Sequence, residues 1–195
     1  MKNKFVKKIF DLTIIFLTLP ILIAISSIII ILIYFTLGRP IFFVQTRSGL
    51  NCSPFKLIKF RTMNNTNLDD NLRITKLGNF LRVHSLDEIP EIINILKGEM
   101  SLVGPRPLYK EYDELYNDEQ MIRMQIKPGI TGWAQINGRN SISWKEKFIL
   151  DNWYVKNESI LLDIKILIKT FFRVFKDKNI YDQNNKVVKK FNGDN

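Results

Sequence analysis

The pattern of apolar and polar positions first marks a long uncharged segment near the N-terminus. Residues 12–37 contain no Asp, Glu, Lys or Arg. A helix needs about 20 apolar residues to cross the hydrocarbon core of a bilayer, so this segment is long enough to do so. A cleaved signal peptide would have a shorter apolar stretch, about 7–15 residues, followed by a small-residue cleavage site, and neither is evident. The pattern predicts a membrane-embedded helix.

The flanks of this segment leave two topologies open. Four lysines lie among the first eight residues, and Arg39 follows the segment directly. Basic flanks favour the cytoplasmic side of a membrane. Pro20 lies inside the segment, where it removes a backbone donor and bends a helix. A bent, re-entrant helix that enters the bilayer and returns keeps both flanks in the cytoplasm. The alternative is an ordinary single span that tolerates a proline.

From residue 38 onward the pattern is that of a small α+β domain. Residues 40–49 and 54–63 read as two strands joined by a turn at 48–51. Residues 62–75 are polar and predict a loop. The stretch 87–98 predicts a short helix, because proline is tolerated only in a first turn and Gly98 fits a C-terminal cap.

The C-terminal third of the chain holds the strongest helical pattern, at residues 160–178. Four basic residues fall on one stripe of this helix: Lys165, Lys169, Arg173 and Lys176. Such a helix either lies in a membrane surface or packs on a core with its basic face in solvent, and the pattern does not choose. Residues 179–195 are polar and predict a loose tail. The predicted organisation is a membrane helix over 1–37, a cytoplasmic domain over 38–178 and the tail.

Composition narrows the classes of function. The net charge is +10, from 29 Lys and Arg against 19 Asp and Glu. Nucleic acid is one partner that such a charge suits. The apolar segment argues against it, because anionic membrane phospholipid accounts for basicity equally well. Cys52 and His84 are the only residues of their types, which excludes a disulfide framework within the chain and a Cys/His zinc site.

Two adjacent acids at the start of the predicted helix are the first candidate for chemistry. Ser85 and Glu88 have the spacing of a capping box, which by itself accounts for the pattern. The functional reading is that Asp87 and Glu88 divide two tasks. One carboxylate can attack phosphorus while the other holds a hard cation such as Mg²⁺ through oxygen.

Basic residues in turns and at strand ends are the second candidate. In Gly104-Pro105-Arg106-Pro107 the two prolines restrict the backbone and so aim the guanidinium, whose planar fork matches phosphate. The alternative is a plain loop with a surface arginine. Four more basic residues suit a polyphosphate, although each alone is more often a solvated charge: Lys59, Arg61, Arg82 and Arg139.

Three runs together make the chain resemble a known family. They are KFRTM at 59–63, SLDEIPEIINILKGEMSLVGPRP at 85–107 and PGITGWAQINGRN at 128–140. They resemble the bacterial sugar transferases, the monotopic phosphoglycosyl transferases, and the likeness extends from the apolar segment to about residue 178. The resemblance implies transfer of a phosphosugar from a UDP-sugar to undecaprenyl phosphate, with release of UMP. The product would be the first membrane-bound intermediate of a bacterial surface glycan or glycoprotein glycan.

The resemblance also implies roles for particular residues. Asp87 would be the nucleophile that carries a covalent phosphosugar, and Glu88 would support Mg²⁺. The arginine of the GPRP turn is Arg106, and the family's other basic positions match Lys59, Arg82 and Arg139. The family's membrane element is a re-entrant helix broken at a Ser-Pro pair. Here the pair is Leu19-Pro20, so the proline is present and the serine is not.

The sequence leaves the sugar and the oligomeric state open. The resemblance places the protein in the bacterial inner membrane, with its catalytic domain on the cytoplasmic face. The rival function is a non-catalytic, membrane-attached basic protein that binds anionic lipid or nucleic acid, and a Mg²⁺-dependent phosphohydrolase is a third. Release of UMP separates the first two, and dependence on undecaprenyl phosphate separates transfer from hydrolysis.

Overall fold

The computed structural model describes residues 4–64, 73–138, 141–176 and 190–193. These parts form a mixed helix and sheet fold. Its α-helices are α1 (Lys4–Leu37), α2 (Lys76–Val83), α3 (Ile92–Leu96), α4 (Asp118–Met121), α5 (Trp133–Asn137), α6 (Trp144–Asn157) and α7 (Ile160–Lys176). Short 3-10 helices span Leu50–Cys52, Leu86–Glu91, Lys110–Leu115 and Ile122–Gln125.

Two small sheets complete the described fold. Strands β1 (Phe42–Ser48) and β2 (Pro54–Phe60) pair antiparallel over their whole length, which confirms the predicted hairpin. Strands β3 (Ser101–Val103) and β4 (Gly129–Thr131) form a short parallel pair. A side chain at Gly104, directly after β3, would place its Cβ 2.5 Å from the carbonyl oxygen of Lys127. Glycine therefore permits the close approach that seats the turn after β3.

Helix α1 packs against the domain along one stripe. Ile15 joins a core cluster with Phe55 and Met100, while Ile29 and Ile33 join a second cluster with other residues of the domain. The contacting positions recur at spacings of three and four, which is the period of one helix face. The structure shows a continuous helix through Pro20.

The N-terminal end of α1 is tied to the domain by buried polar contacts. Lys7 Nζ lies 2.6 Å from Asp163 Oδ2, and the Tyr154 hydroxyl donates to the other carboxylate oxygen of Asp163 at 2.5 Å. One turn later, the carboxylate of Asp11 accepts a hydrogen bond from the Ser101 hydroxyl at 2.6 Å. These contacts hold the first two turns of α1 against β3 and α7.

The C-terminal end of α1 is tied to the same domain by Arg61. Its guanidinium donates to the carbonyl oxygen of Leu37, which the helix end leaves without a partner, and to those of Gly38 and Arg39 directly after the helix. Arg61 is buried, and a cation at this end also interacts favourably with the helix dipole. Both ends of α1 therefore contact one domain.

The outer face of α1 is apolar and exposed. Large side chains point away from the domain along its length: Phe16, Leu17, Ile21, Ile28 and Phe35. The helix is long and apolar enough to cross a membrane. Water is a poor solvent for such a face, and hydrocarbon is a good one. The structure thus agrees with the predicted apolar helix in length and composition.

The predicted helix at the C-terminal end is confirmed as α7. One of its faces packs on the core, and another apolar face is exposed. Asp163 and Ile166 are fully buried against the core, whereas Leu161, Phe171 and Phe172 are more than 60% exposed. An apolar face of this kind is unusual on a water-facing helix. The packed face and the exposed face together allow α7 to join the core and meet a membrane surface at once.

The loose tail predicted for residues 179–195 is wrong where the structure describes it. Phe191 is 3% exposed and packs among Tyr112, Trp144 and Phe148. Its backbone N–H donates to the Tyr112 hydroxyl at 3.3 Å. One large aromatic ring therefore docks this piece of a polar segment onto the domain, since a single buried ring contributes a few kcal/mol.

Candidate active site

The adjacent acids lie on the 3-10 helix Leu86–Glu91, and the residue before this helix has an unusual backbone. Ser85 has φ +52°, in the left-handed region that few side chains other than glycine adopt. Its side chain makes no capping hydrogen bond, so the capping box predicted from Ser85 and Glu88 is absent. Strained residues of this kind recur at functional sites, where the surrounding fold holds them in place.

The 3-10 geometry decides which acids share a face. With three residues per turn, side chains at i and i+3 eclipse, so Glu88 and Glu91 point the same way. Pro90 lies inside this 3-10 helix and before the first residue of α3, so no hydrogen bond within α3 needs its missing N–H. The structure thus divides the predicted helix 87–98 into a 3-10 segment and α3. Gly98 ends α3 with φ +82°, which confirms the predicted cap.

Lys59, near the end of β2, joins the two eclipsed acids. Its Nζ lies 2.6 Å from Glu88 Oε1 and 3.0 Å from Glu91 Oε1. Arg106 approaches the same oxygen of Glu88, with Nη2 at 2.9 Å. Glu88 therefore meets two cations at one oxygen, while the side chain of Arg106 stays half exposed.

These contacts give Glu88, Glu91 and Asp87 different pKa values. Burial alone would raise the pKa of Glu88, but Lys59 and Arg106 outweigh it and lower that pKa to about 2. Burial and the charge of Glu88 raise the pKa of Glu91 to about 7. A pair of carboxyl groups with divergent pKa values is typical of a site that assigns them different roles.

Asp87 stands apart within this cluster. Among the described residues it makes no ion pair or hydrogen bond through its side chain. Burial, then the neighbouring charge of Glu88, raises its pKa to about 6, although Lys59, Arg82 and Arg106 act in the opposite direction. Asp87 is therefore a partly buried carboxylate that lies close to cations but forms an ion pair with none of those described. That is the state a nucleophile requires.

Arg82 and Arg106 are each oriented by the fold. The Nε of Arg82 donates to the Thr62 hydroxyl at 2.8 Å. The backbone carbonyl of Arg106 accepts a hydrogen bond from Arg123 at 2.5 Å, and Arg123 is itself paired with Asp151 at 3.0 Å. Because Arg123 and Asp151 are both buried, this contact restricts the GPRP turn from beneath.

The structure brings together most, but not all, of the predicted site residues. Asp87, Glu88, Lys59, Arg82 and Arg106 form one cluster. Arg61 lies elsewhere, since its guanidinium is occupied by the carbonyl groups at the end of α1, and Arg139 lies outside the described residues. Pro20 is exposed on α1.

Two residues of the site were missed by sequence reasoning. Glu91 could have been found from its spacing of three from Glu88, but only if a 3-10 helix had been expected there. Arg123 belongs to no sequence motif. Its role depends on contacts with Arg106 and Asp151, which lie 17 and 28 positions away. A local pattern holds no signal for such a contact.

The donor set is compatible with Mg²⁺ supported by a bound substrate. Among the described residues, no group of three or more His, Cys, Asp and Glu side chains is arranged to hold a metal alone. Mg²⁺ commonly takes one or two carboxylates and completes its shell with water and substrate phosphates. Glu88 uses only Oε1 for Lys59 and Arg106, so Oε2 is left for such a cation.

Comparison with known proteins finds some relatives of about the same length as this chain and others that are much longer. The chain is 46% identical over 193 residues to an uncharacterized sugar transferase, EpsL, of Bacillus subtilis, with 96% of each chain covered. It is 37% identical over 195 residues to the UDP-glucose:undecaprenyl-phosphate glucose-1-phosphate transferase of Escherichia coli, covering 92% of this chain and 42% of that protein.

A third relative is the undecaprenyl-phosphate galactose phosphotransferase of Salmonella typhimurium. It is 35% identical over 193 residues, with 86% of this chain and 40% of that protein covered. The chain thus spans about two fifths of the two longer relatives. The profile of the bacterial sugar transferase family matches residues 2–177. The chain therefore belongs to the bacterial sugar transferase family.

Proposed function

We propose that this protein is a polyprenyl-phosphate phosphoglycosyl transferase. It transfers a phosphosugar from a UDP-sugar to undecaprenyl phosphate, releases UMP, and so starts the assembly of a bacterial surface glycan or glycoprotein glycan. The observation that carries the proposal is the unpaired Asp87 carboxylate beside Glu88, Lys59 and Arg106. Relatives named for UDP-glucose and undecaprenyl phosphate support the two substrates.

In the first step, a carboxylate oxygen of Asp87 attacks the phosphorus that bears the sugar. The bond from that phosphorus to UMP breaks, and UMP leaves with the electron pair. Arg106 is half exposed and can turn toward the pyrophosphate, where its planar fork matches two phosphate oxygens. Fixed cations near the developing charge lower the barrier because they require little reorganisation.

In the second step, an oxygen of the lipid phosphate attacks the phosphorus of the aspartyl phosphosugar. The Asp87–phosphorus bond breaks and returns the carboxylate, which leaves the sugar on a polyprenyl diphosphate. Dividing the transfer in this way lets one site accept a water-soluble donor and then a lipid acceptor. Lys59 holds Glu88 and Glu91 in place throughout.

Mg²⁺ fits this site through Glu88, as described above. When bound, it would supply positive charge to the pyrophosphate of the donor. We expect EDTA to abolish UMP release and Mg²⁺ or Mn²⁺ to restore it, because hard oxygen ligands suit both ions. Steady-state UMP release, with and without chelator, measures this. Full activity in EDTA, or in a Glu88→Gln variant, would contradict a metal role for Glu88.

The raised pKa of Asp87 leads to a pH prediction. Attack requires the carboxylate, so the rate of adduct formation should be half-maximal near pH 6, level well above it, and fall about tenfold per unit well below it. Glu88→Gln removes a negative charge that raises the pKa of Asp87, so its acid limb should move to lower pH. Rapid-quench measurements of UMP release in a single turnover report this limb. An acid limb that stays in place in Glu88→Gln would exclude Asp87 as the titrating group.

We also propose that α1 is a re-entrant membrane helix of the inner membrane, with the catalytic domain on the cytoplasmic face. Both ends of α1 contact the same domain, which supports this arrangement: Lys7 at the N-terminal end pairs with Asp163, and Arg61 of the domain binds the carbonyl groups at the C-terminal end. A straight span would carry one of these ends to the far side of the bilayer. Moving the N-terminal lysines across is also costly.

Cysteine labelling tests this topology. In a Cys52→Ser background, a cysteine introduced at Asn3 should resist a membrane-impermeant maleimide in intact cells and react once the cells are permeabilised. A cysteine in an established periplasmic loop of another protein serves as the positive control. Labelling from outside would show a spanning helix, and Pro20→Ala should increase any such fraction because alanine supplies the backbone N–H that proline lacks and so favours a straight helix.

The proposed activity itself is tested by a donor panel. UMP release is measured with UDP-glucose, UDP-galactose and UDP-N-acetylated amino sugars, each with and without undecaprenyl phosphate. One donor should give multiple turnovers only when the lipid is present. Turnover without the lipid would indicate a phosphohydrolase, and no release with any donor would favour a non-catalytic binding protein.

A further inference from the structure

Phe191 is buried among aromatic rings on the surface of the domain. Among the described residues, its ring centroid lies 5.1–5.9 Å from those of four rings, which we call the aromatic socket: Phe148, Tyr112, Trp144 and Tyr116. Its backbone N–H also donates to the Tyr112 hydroxyl, at 3.3 Å. Phe191 lies beyond residues 2–177, to which the family profile extends. The contact is therefore a feature of this chain's own C-terminal segment.

Two rings of the aromatic socket also contact Arg123, a buried residue of the 3-10 helix Ile122–Gln125. The guanidinium carbon of Arg123 lies 5.7 Å from the centroid of the Phe148 ring, within the range of a cation–π contact. Its Nη1 donates to the Tyr116 hydroxyl at 3.5 Å. Because Phe191 packs on both of these rings, it restricts how far they can move and so limits the positions open to Arg123.

Arg123 in turn contacts the main chain of the GPRP turn. Its Nη2 donates to the carbonyl oxygen of Arg106 at 2.5 Å. Leu108, directly after the turn, belongs to the same buried cluster as Phe191. The main chain of the turn is thus linked to Phe191 by two routes, one through Arg123 and the other through Leu108.

The side chain of Arg106 has little support of its own. It is 50% exposed, and its ion pair among the contacts described is with Glu88. In the proposed first step that pair opens, so that the guanidinium can reach the pyrophosphate. The direction of the guanidinium then depends on the main chain that carries it. A displacement of roughly 1 Å in a positioned group can cost about 10²-fold in rate.

We propose that Phe191 is a positioning residue for Arg106, on which it acts through the aromatic socket and Arg123. This inference rests on the proposed function, in which Arg106 binds the pyrophosphate of the donor. With Phe191 in place, the ion pair of Arg123 with Asp151 stays buried, and opposite charges attract more strongly where water is excluded. Without it, the aromatic socket opens to water, and Arg123 no longer holds the turn in one position.

A double-mutant cycle tests the link between Phe191 and Arg106. We expect Phe191→Ala to slow single-turnover UMP release, measured without lipid, about tenfold, because the turn that carries Arg106 is less fixed. In an Arg106→Ala background the same change should slow release no further, since the group that Phe191 positions is gone. Residues that act through one another give such non-additive effects. Phe191→Leu, which keeps most of the apolar volume, should keep the wild-type rate.

A buried residue outside this network is the matched control. Ile33 is fully buried, on α1, in a cluster that contains no residue of the aromatic socket. Ile33→Ala should lower the melting temperature, as large-to-small changes in a core do. It should keep the single-turnover rate at a temperature where the protein stays folded. An equal loss of rate in Ile33→Ala and Phe191→Ala would assign the effect to stability alone and overturn the inference.

Hydrogen exchange gives a readout that does not depend on activity. Deuterium uptake is followed by mass spectrometry in peptides that contain residues 104–108, where the Gly104 N–H bonds to the Thr131 carbonyl at 2.9 Å. Phe191→Ala should raise uptake there more than in the β1–β2 hairpin, because a turn with less support opens more often. Ile33→Ala should leave the ratio of the two unchanged.

Two further outcomes would overturn the inference. One is uptake in residues 104–108 that stays at the wild-type level in Phe191→Ala, and the other is an equal loss of rate in the Arg106→Ala background. If Phe191→Ala does not fold, Tyr112→Phe takes its place in both measurements, because it removes only the acceptor of the Phe191 N–H. Failure of wild type to release UMP from any donor would instead overturn the proposed function, and hydrogen exchange would still decide whether Phe191 holds the turn.

Discussion

Asp87→Asn should abolish transfer, with a loss of at least about 10³-fold, while the protein stays folded. The substitution keeps the size of the side chain and removes the attacking carboxylate, and removal of a covalent nucleophile leaves only binding and electrostatic contributions. It also removes a buried negative charge next to Glu88, so it should not destabilise the fold. Single-turnover UMP release measures the loss, and thermal unfolding in detergent measures the stability.

The covalent intermediate gives the decisive readout for Asp87. Wild type mixed with the active UDP-sugar, in the absence of lipid, should show by mass spectrometry one phosphosugar on the peptide that contains Asp87. Asp118→Asn is the matched control, because Asp118 is an exposed acid at the start of a different helix. It should keep both activity and adduct. An adduct on another residue, or an active Asp87→Asn variant, would refute the assignment.

Lys59→Met should lower both stability and activity. The substitution leaves Glu88 and Glu91 buried without the cation that bridges them. Removing one partner of a buried ion pair typically costs about 3–5 kcal/mol. The pKa of each acid should rise, because the charge that lowers it is gone. Chemical unfolding and single-turnover UMP release measure the two effects.

A control and a double variant separate the two effects of Lys59. Lys56 is exposed on the same strand and its side chain bonds only to Thr46 among the contacts described, so Lys56→Met should have little effect. Adding Glu91→Gln to Lys59→Met replaces one of the orphaned buried acids with a neutral amide and should restore part of the stability above pH 7, where that acid would ionise. Recovery of stability without activity indicates a direct role of Lys59 toward substrate. Recovery of both indicates that Lys59 acts only by holding the acids.

Elements with a local signal were predictable. The β1–β2 hairpin follows from alternation around a turn, α7 follows from its 3.6-residue period, and Gly98 marks a helix end by its tolerance of positive φ. Helix α6 also had a signal that was not used. Ser143 and Glu146 form a capping box, although its apolar positions do not make a clean stripe.

Other elements were too short for any periodic signal. Strand β4 and helix α5 hold three and five residues, in a stretch rich in glycine and turn residues. The parallel pairing of β3 with β4 defines both strands, and their residues are 28 positions apart. Neither strand has a pattern of its own that could reveal the partner.

Neighbouring residues or a long motif carry the signal for the apolar helix, the hairpin, the family and most of the proposed catalytic residues, so each of these could be predicted from the amino-acid order. The role of each charge could not. Arg61 and Lys59 lie two residues apart, yet Arg61 caps α1 while Lys59 bridges Glu88 and Glu91. A buried charge must find a partner, and which partner comes within reach depends on how distant segments pack.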